Sequence, residues 1–143
     1  MSGGTATVDA PEQVLVFSLG ADRFCVGIDR IDEIVEADTV SSLPGAPPLV
    51  EGVMNLRGET TTVIDPSSVL DGDSTATTRQ VIIFDTDDDR KVGWLVDRVH
   101  RVEDLADPET EPVEDNQYVE GILQTDDGFV LWVAPGPVHS RLD

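Results

Sequence analysis

The sequence predicts an all-β protein: two small β-barrels of about five short strands each, sharing a core, with short helical turns between strands. Three observations carry this. Apolar residues come in short runs rich in Val, Ile and Phe, bounded by Gly, Pro, Asn and Asp, as brief strands between turns require. Helical spacing is confined to short turns. The second half of the chain repeats the pattern of the first, and with 143 residues in all neither half can hide much surface alone, so the two must share a core.

Residues 14–19, VLVFSL, read as a strand with Leu15, Phe17 and Leu19 on one face. Gly20–Arg23 is a turn, and Phe24–Ile28 returns as a second strand. In Asp29–Glu36, DRIDEIVE, apolar Ile31, Ile34 and Val35 fall at i, i+3 and i+4, which predicts a short helical turn or an irregular edge. Pro44, Pro47 and Pro48 make Ser41–Leu49 an extended connection. Residues 66–79, PSSVLDGDSTATTR, shift to Ser, Thr, Asp and Gly and mark the boundary between halves, with one helical turn at Ser67–Leu70. Val81–Phe84 and Val92–Val96 are strands flanking the turn Asp85–Arg90. Asp97–Leu105 carries Val99 and Val102, and Pro108 and Pro112 mark a second extended connection. Val119–Leu123 and Phe129–Val133 flank the turn Gln124–Gly128, and APGPVHSRLD closes as a short tail. The expected organisation is a flexible tail at 1–11, one domain at 12–134 and a tail at 135–143. Within the domain, the first lobe lies at 14–65, the linker at 66–79 and the second lobe at 80–134.

The repeat aligns Val26-Gly27 and Asp29-Arg30-Ile31 with Val92-Gly93 and Asp97-Arg98-Val99. Further on, Glu51-Gly52-Val53 aligns with Glu120-Gly121-Ile122, and turn glycines follow at Gly58 and Gly128.

Composition excludes several classes. The 29 acidic residues against 9 basic ones leave a net charge of −20, which repels nucleic acid and anionic membranes. The acids are dispersed and Lys91 is the only lysine, a salt-adapted composition expected of a halophilic archaeal source. Mean hydropathy is −0.12 and no long apolar run is present to span a membrane. The start, MSGGTATVDAPEQ, lacks the basic and apolar regions of a signal peptide, so a cytoplasmic location is expected. The single cysteine, Cys25, fits a reducing compartment and reads as a small buried hydrophobe.

No motif supplies a catalytic centre. The run Asp85–Asp89 fails as a calcium loop, because its sixth and twelfth positions hold Arg90 and Val96 in place of glycine and glutamate. His100 and His139 stand alone with no zinc spacing, and Cys25 has no nucleophile motif, although sequence leaves a Cys25–His100 pairing open. No phosphate-binding or nucleophile-elbow motif occurs. No catalytic residue, cofactor or metal ligand is therefore expected. Phe17, Phe24, Trp94, Phe129 and Trp132 lie within strands without interleaved bases, and are read as core rather than as a nucleic-acid stacking platform.

The most informative stretch is 52–65, GVMNLRGETTTVID, a hairpin holding Arg57 at its tip, with Gly58 able to take the positive φ of a tight turn. This segment resembles the G-V-x-N-L-R-G…V-I-D signature of the CheW family of chemotaxis coupling proteins. VFSLG at 16–20, DRIDEI at 29–34, LPGAP at 43–47, VGWLVD at 92–97, Pro112-Val113 and YVEGI at 118–122 follow in the same order. The chain departs from the family pattern at Thr62, after Asp65, and at Ala134-Pro135.

The resemblance implies two five-stranded SH3-like barrels. It also implies a non-catalytic adaptor joining the CheA histidine kinase, through its regulatory domain, to the cytoplasmic tips of methyl-accepting chemotaxis receptors, in arrays at the inner face of the membrane. Asn55, Arg57, Val81, Val99 and Val102 are the implied receptor-facing residues, the three valines lining a groove between lobes. Ile31, Glu33 and Gly93 are the implied kinase-facing residues. The alternatives are a β-barrel sensor of small ligands and a regulator without receptor coupling.

Overall fold

The computed structural model describes residues 13–37, 40–70, 79–86, 91–104, 110–112, 118–125 and 128–140. The expected N-terminal tail, most of the 66–79 linker and most of the Asp85–Arg90 turn lie outside them.

The strands are β1 (Gln13–Leu19), β2 (Asp22–Gly27), β3 (Ile31–Glu36), β4 (Val50–Leu56), β5 (Glu59–Ile64), β6 (Gln80–Asp85), β7 (Lys91–Val96), β8 (Arg98–Asp104), β9 (Thr110–Pro112), β10 (Val119–Thr125) and β11 (Gly128–Val133). Among the described residues there are also two short α-helices, α1 (Ser67–Leu70) and α2 (Pro135–Ser140). One sheet has the order β3-β6-β7-β5-β4, and the other β8-β1-β2-β11-β10-β9. The second thus holds the five expected strands plus the three-residue β9, which occupies part of the predicted extended connection.

The division into a 14–65 lobe and an 80–134 lobe does not describe these sheets. The hairpin β1–β2 from the first half sits among the strands of the second, and β6–β7 from the second half sits among those of the first. The crossovers explain this exchange. After β2, the 3₁₀ turn Ile28–Arg30 carries the chain into the other sheet as β3, and β8 makes the equivalent crossing after β7. Parallel ladders β5–β7 and β2–β11 then lock each hairpin in place.

Ladder registers give the true repeat. Phe17 opposes Phe24 where Phe84 opposes Val92, so Gln13-Val14-Leu15-Val16-Phe17 corresponds to Gln80-Val81-Ile82-Ile83-Phe84. Cys25 then corresponds to Gly93 and Val26 to Trp94, which corrects the Val26-Gly27/Val92-Gly93 alignment by two residues. Asp29–Ile31 against Asp97–Val99 and Gly52 against Gly121 agree with the registers. Bulges recur as well: β4 skips Glu51 and β10 skips Glu120 in the ladder to the following strand. The Asp65 N–H donates to the Leu49 carbonyl at 2.8 Å, and the Ala134 N–H to the Tyr118 carbonyl at 2.8 Å.

Both faces of the central strands are buried, because two kinds of core meet there. Leu15, Phe17, Phe24 and Ile64 pack with Ile82, Phe84, Trp94 and Val133 in the core shared by the sheets. Val14, Val16, Cys25, Leu123, Val130 and Trp132 fill one barrel. Val63, Val81, Ile83 and Leu95, with Val35, Met54 and Leu56 from the edge strands, fill the other. Thus Leu15, Phe17 and Leu19 do share the face the sequence assigned them.

Asp29–Glu36 combines the two expected forms: a 3₁₀ turn ends at Arg30, and Ile31–Glu36 is an edge strand made irregular by a bulge between Ile31 and Glu33. Two other local readings need correction. The segment after Ala134 is not wholly tail. Pro135 opens α2, where its missing N–H costs nothing, and Val138 is fully buried. The Trp94 Nε1–H donates to His139 Nε2 at 3.0 Å, so α2 is pinned on the shared core. Phe129, read as core, is 68% exposed, whereas Phe17, Phe24, Trp94 and Trp132 are buried.

Candidate functional site

Edge strands carry the accessible chemistry of this fold, because central strands are covered on both faces. In β3 the side chains of Asp32, Ile34 and Glu36 are exposed, while Ile31, Glu33 and Val35 are half-buried. Beside β3 stands the β4–β5 turn. Arg57 (φ 51°) and Gly58 (φ 87°) both adopt positive φ, as a two-residue turn matched to strand twist demands. Only the glycine was anticipated. An arginine in this region is strained, and two contacts hold it. The Gly58 N–H donates to Asn55 Oδ1 at 2.8 Å, closing the turn. The Arg57 guanidinium forks onto the Glu33 carboxylate, Nη1 to Oε2 at 2.7 Å and Nη2 to Oε1. The forked hydrogen bond and the carboxylate charge push the Arg57 pKa up.

This ion pair joins the two edges of one barrel. Next to it Lys91 Nζ donates to Asp32 Oδ2 at 2.6 Å, which raises the lysine pKa. Between the edges opens a groove of about 880 Å³, lined by Val35, Glu36, Val53, Met54, Asn55 and Leu56 among others. Leu43–Pro47 with Val50 and Thr62 line a second hollow of about 380 Å³, beside which Leu43 is exposed.

Strand β8 is the counterpart of β3. Val99 opposes Phe17 as Ile31 opposes Phe84, and each strand skips one residue, His100 or Asp32, before pairing resumes. Arg101 therefore stands where Glu33 stands, and Val102 where Ile34 stands. Ile34 is 38% exposed and Val102 49%. Val99 and Ile31 thus share one repeated position and Val102 and Ile34 another, and Ile34, the last residue of DRIDEI, is the one of the four not among the implied contact residues.

The remaining expected contacts are rearranged. Val81 is fully buried inside the barrel that β3 and β4 close, since its partner across the ladder is Val35. It therefore lines no groove between lobes. Val99 packs against the shared core and Val102 faces outward, so the three valines do not share one wall. Gly93 points into the same barrel, where a Cβ would lie 2.5 Å from Val81 Cγ1. The missing side chain leaves room there for Val81 and Ile83. Ile31 is half-buried against the shared core.

Cys25 lies in the opposite barrel core, and burial followed by the Glu103 charge pushes its thiol up to about 12. His100 Nε2 lies 3.2 Å from Ser18 Oγ. Among the described residues no His, Cys, Asp and Glu group could hold a metal ion, and no helix is long and apolar enough to cross a membrane.

The described residues thus form two interlocked barrels whose edge strands carry ion pairs beside the exposed Ile34 and Val102. The model of the CheW-like domain matches residues 13–141, and the chain belongs to that family. It is 35% identical over 104 residues to the chemotaxis protein CheW of Rhizobium meliloti, covering 72% of this chain and 67% of that protein. To the chemotaxis protein CheW of Bacillus subtilis it is 31% identical over 110 residues, covering 75% and 69%. The crystal structure of scaffolding protein TtCheW from Thermoanaerobacter tengcongensis superposes with a TM-score of 0.76 at 30% identity, covering 87% of this chain and 90% of that one. The family is one of non-catalytic scaffolds, and the chain is a chemotaxis coupling adaptor.

Proposed function

We propose that this adaptor couples the cytoplasmic tips of chemoreceptors to the regulatory domain of the CheA kinase, without catalytic activity of its own, in arrays at the inner face of the membrane. In this reading the β3 edge, with Glu33 and Ile34, contacts the kinase. Arg57 and the β8 edge around Val102 contact the receptor. Asn55 contributes by holding the Arg57 turn.

The observation that carries the reading is the Arg57–Glu33 fork, which ties a receptor-facing residue to a kinase-facing one across the mouth of a single barrel. A receptor carboxylate that takes Arg57 must compete with Glu33, so engagement on one side is felt on the other. Lysine cannot reproduce the fork.

Arg57→Ala and Arg57→Lys should keep the melting temperature within a few degrees of wild type, because the side chain is exposed and lies outside the core. Both should abolish the response to gradients in a strain lacking the native protein. Normal swarm rings from Arg57→Ala would refute the receptor role. Wild-type affinity of a folded Glu33→Lys variant for the kinase regulatory domain would refute the other half.

A further inference from the structure

Strand β8 ends its sheet: β1 lies on one side, and among the described residues no strand lies on the other. The Val99 N–H turns away from β1 and donates to Gln80 Oε1 at 2.9 Å. Main-chain groups alternate along an antiparallel ladder, which fixes the rest of the strand once the bulge at His100 is passed. Arg101 and Glu103 direct theirs to Val16 and Val14, so Val102 and Asp104 direct theirs to the open edge. Gln80 and the bulge blunt the first half of that edge. Arg101–Asp104 is the part left to pair, and Val102 within it is 49% exposed.

This segment is complementary to itself. When a second β8 runs antiparallel with Val102 opposite Val102, Arg101 stands opposite Glu103 twice and Asp104 stands opposite His100. No like charges meet, and the two Val102 residues exchange both main-chain bonds. The ion pair that Arg101 Nη2 makes within its own strand, 3.3 Å from Glu103 Oε2, is traded for the same pair between strands. Strand β3 lacks this property: turned about Ile34, it sets Asp32 against Glu36 twice.

We propose that β8 pairs antiparallel with β8 of a second copy, giving a two-fold dimer centred on Val102. A two-fold contact requires one patch to fit itself, and charges that change sign about a central apolar residue do so. The dimer rests on β8 alone. Where the receptor takes the same Val102 edge, as proposed above, receptor and second copy compete for it.

The test is made in molar salt, where the charge of −20 on each copy is screened over about 3 Å. Sedimentation of the wild type should show a monomer–dimer equilibrium that dilution shifts, since one strand edge buries well under the roughly 1,600 Å² of a standard interface. Arg101→Glu, at an exposed position, should keep the melting temperature and weaken the dimer about tenfold or more. An equal mixture of Arg101→Glu and Glu103→Arg copies should recover the wild-type affinity, because opposite charges again face each other in this register and in no parallel one. Val102→Cys should oxidise to a covalent dimer several times faster than Ile34→Cys. Cα atoms of a hydrogen-bonded pair lie about 5.5 Å apart, within disulfide reach, and the native Cys25 is buried. A wild type that stays monomeric at every concentration overturns the proposal. So do equal oxidation rates for the two cysteine variants, or a mixture of folded charge variants that binds no more tightly than its parts.

Discussion

Strands β3 and β8 take the same path through the two repeats, yet their side chains differ in charge and in what they pair with. Asp32, Glu33 and Glu36 flank Ile34 on β3, whereas Arg98, His100 and Arg101 precede Val102 on β8. Glu33 reaches across the barrel mouth to Arg57, while Arg101 pairs within its own strand, Nη2 to Glu103 Oε2 at 3.3 Å. Inside the barrels Val35 completes one apolar core, and its counterpart Glu103 faces the other beside Val14. The adjoining hairpins diverge as well: where Thr60 stands on β5, the exposed Phe129 stands on β11. A duplicated backbone thus supplies two geometrically alike edges, one carrying three acids and the other two arginines balanced by Glu103 and Asp104.

The largest effect should come from breaking the frame on which both edges are mounted. Gly52→Ala sets a carbon against backbone at Ser41, which cannot step aside, and cooperative unfolding should be lost. Gly93→Ala meets side chains of Val81 and Ile83 instead, and should cost about 1–3 kcal/mol by overpacking. Denaturant titration of the two variants ranks them, and an equal loss would show that the ladder at Ser41 can yield.

Charge should move both repeats together. With a net charge of −20, self-repulsion is screened over about 3 Å at 1 M salt and about 30 Å at 0.01 M. A single cooperative transition is expected in molar salt, and partial unfolding in dilute buffer. A melting temperature independent of salt would contradict this.

The comparison between edges is sharpened by Ile34→Asp and Val102→Asp. Each side chain is exposed enough that stability should move by no more than about 0.5 kcal/mol. Each should weaken one partner about tenfold or more while sparing the other. Titration of both variants against the kinase regulatory domain and a receptor tip fragment checks this, and loss of the same partner from both would merge the two faces into one.

The smallest effect concerns the barrel interiors at Cys25. Its thiol pKa is raised above the ordinary 9.0 to about 12 by burial, so the folded chain keeps a proton that the unfolded chain releases. That contribution to stability is whole below pH 9 and is lost as pH rises towards 12. Cys25→Ala should therefore flatten the alkaline decline in melting temperature, and native protein should resist thiol reagents until it unfolds. Modification of the native thiol near neutral pH would contradict the burial.

Sequence by itself determined the strands, the repeat and the turn that carries Arg57. Alternating or continuous runs of Val, Ile and Phe bounded by Gly, Pro and Asp are local signals, and β1, β2, β4 to β7, β10 and β11 follow them within a residue or two. Only the tertiary structure decided which strands share a sheet. Nothing in Asp29-Arg30-Ile31 tells the chain to leave one sheet for the other, because hairpin exchange depends on ladders between residues far apart. The same distance hid the site's main contact: Glu33 and Arg57 are 24 positions apart, and family motifs assign them to different partners. Accessibility was the third thing sequence left open. Val81 and Val102 are alike in composition and propensity, but one opposes Val35 inside a barrel and the other stands 49% exposed on an edge. Strand propensity belongs to single residues and their neighbours, whereas burial belongs to what packs across from them, and that is set only when the halves interlock.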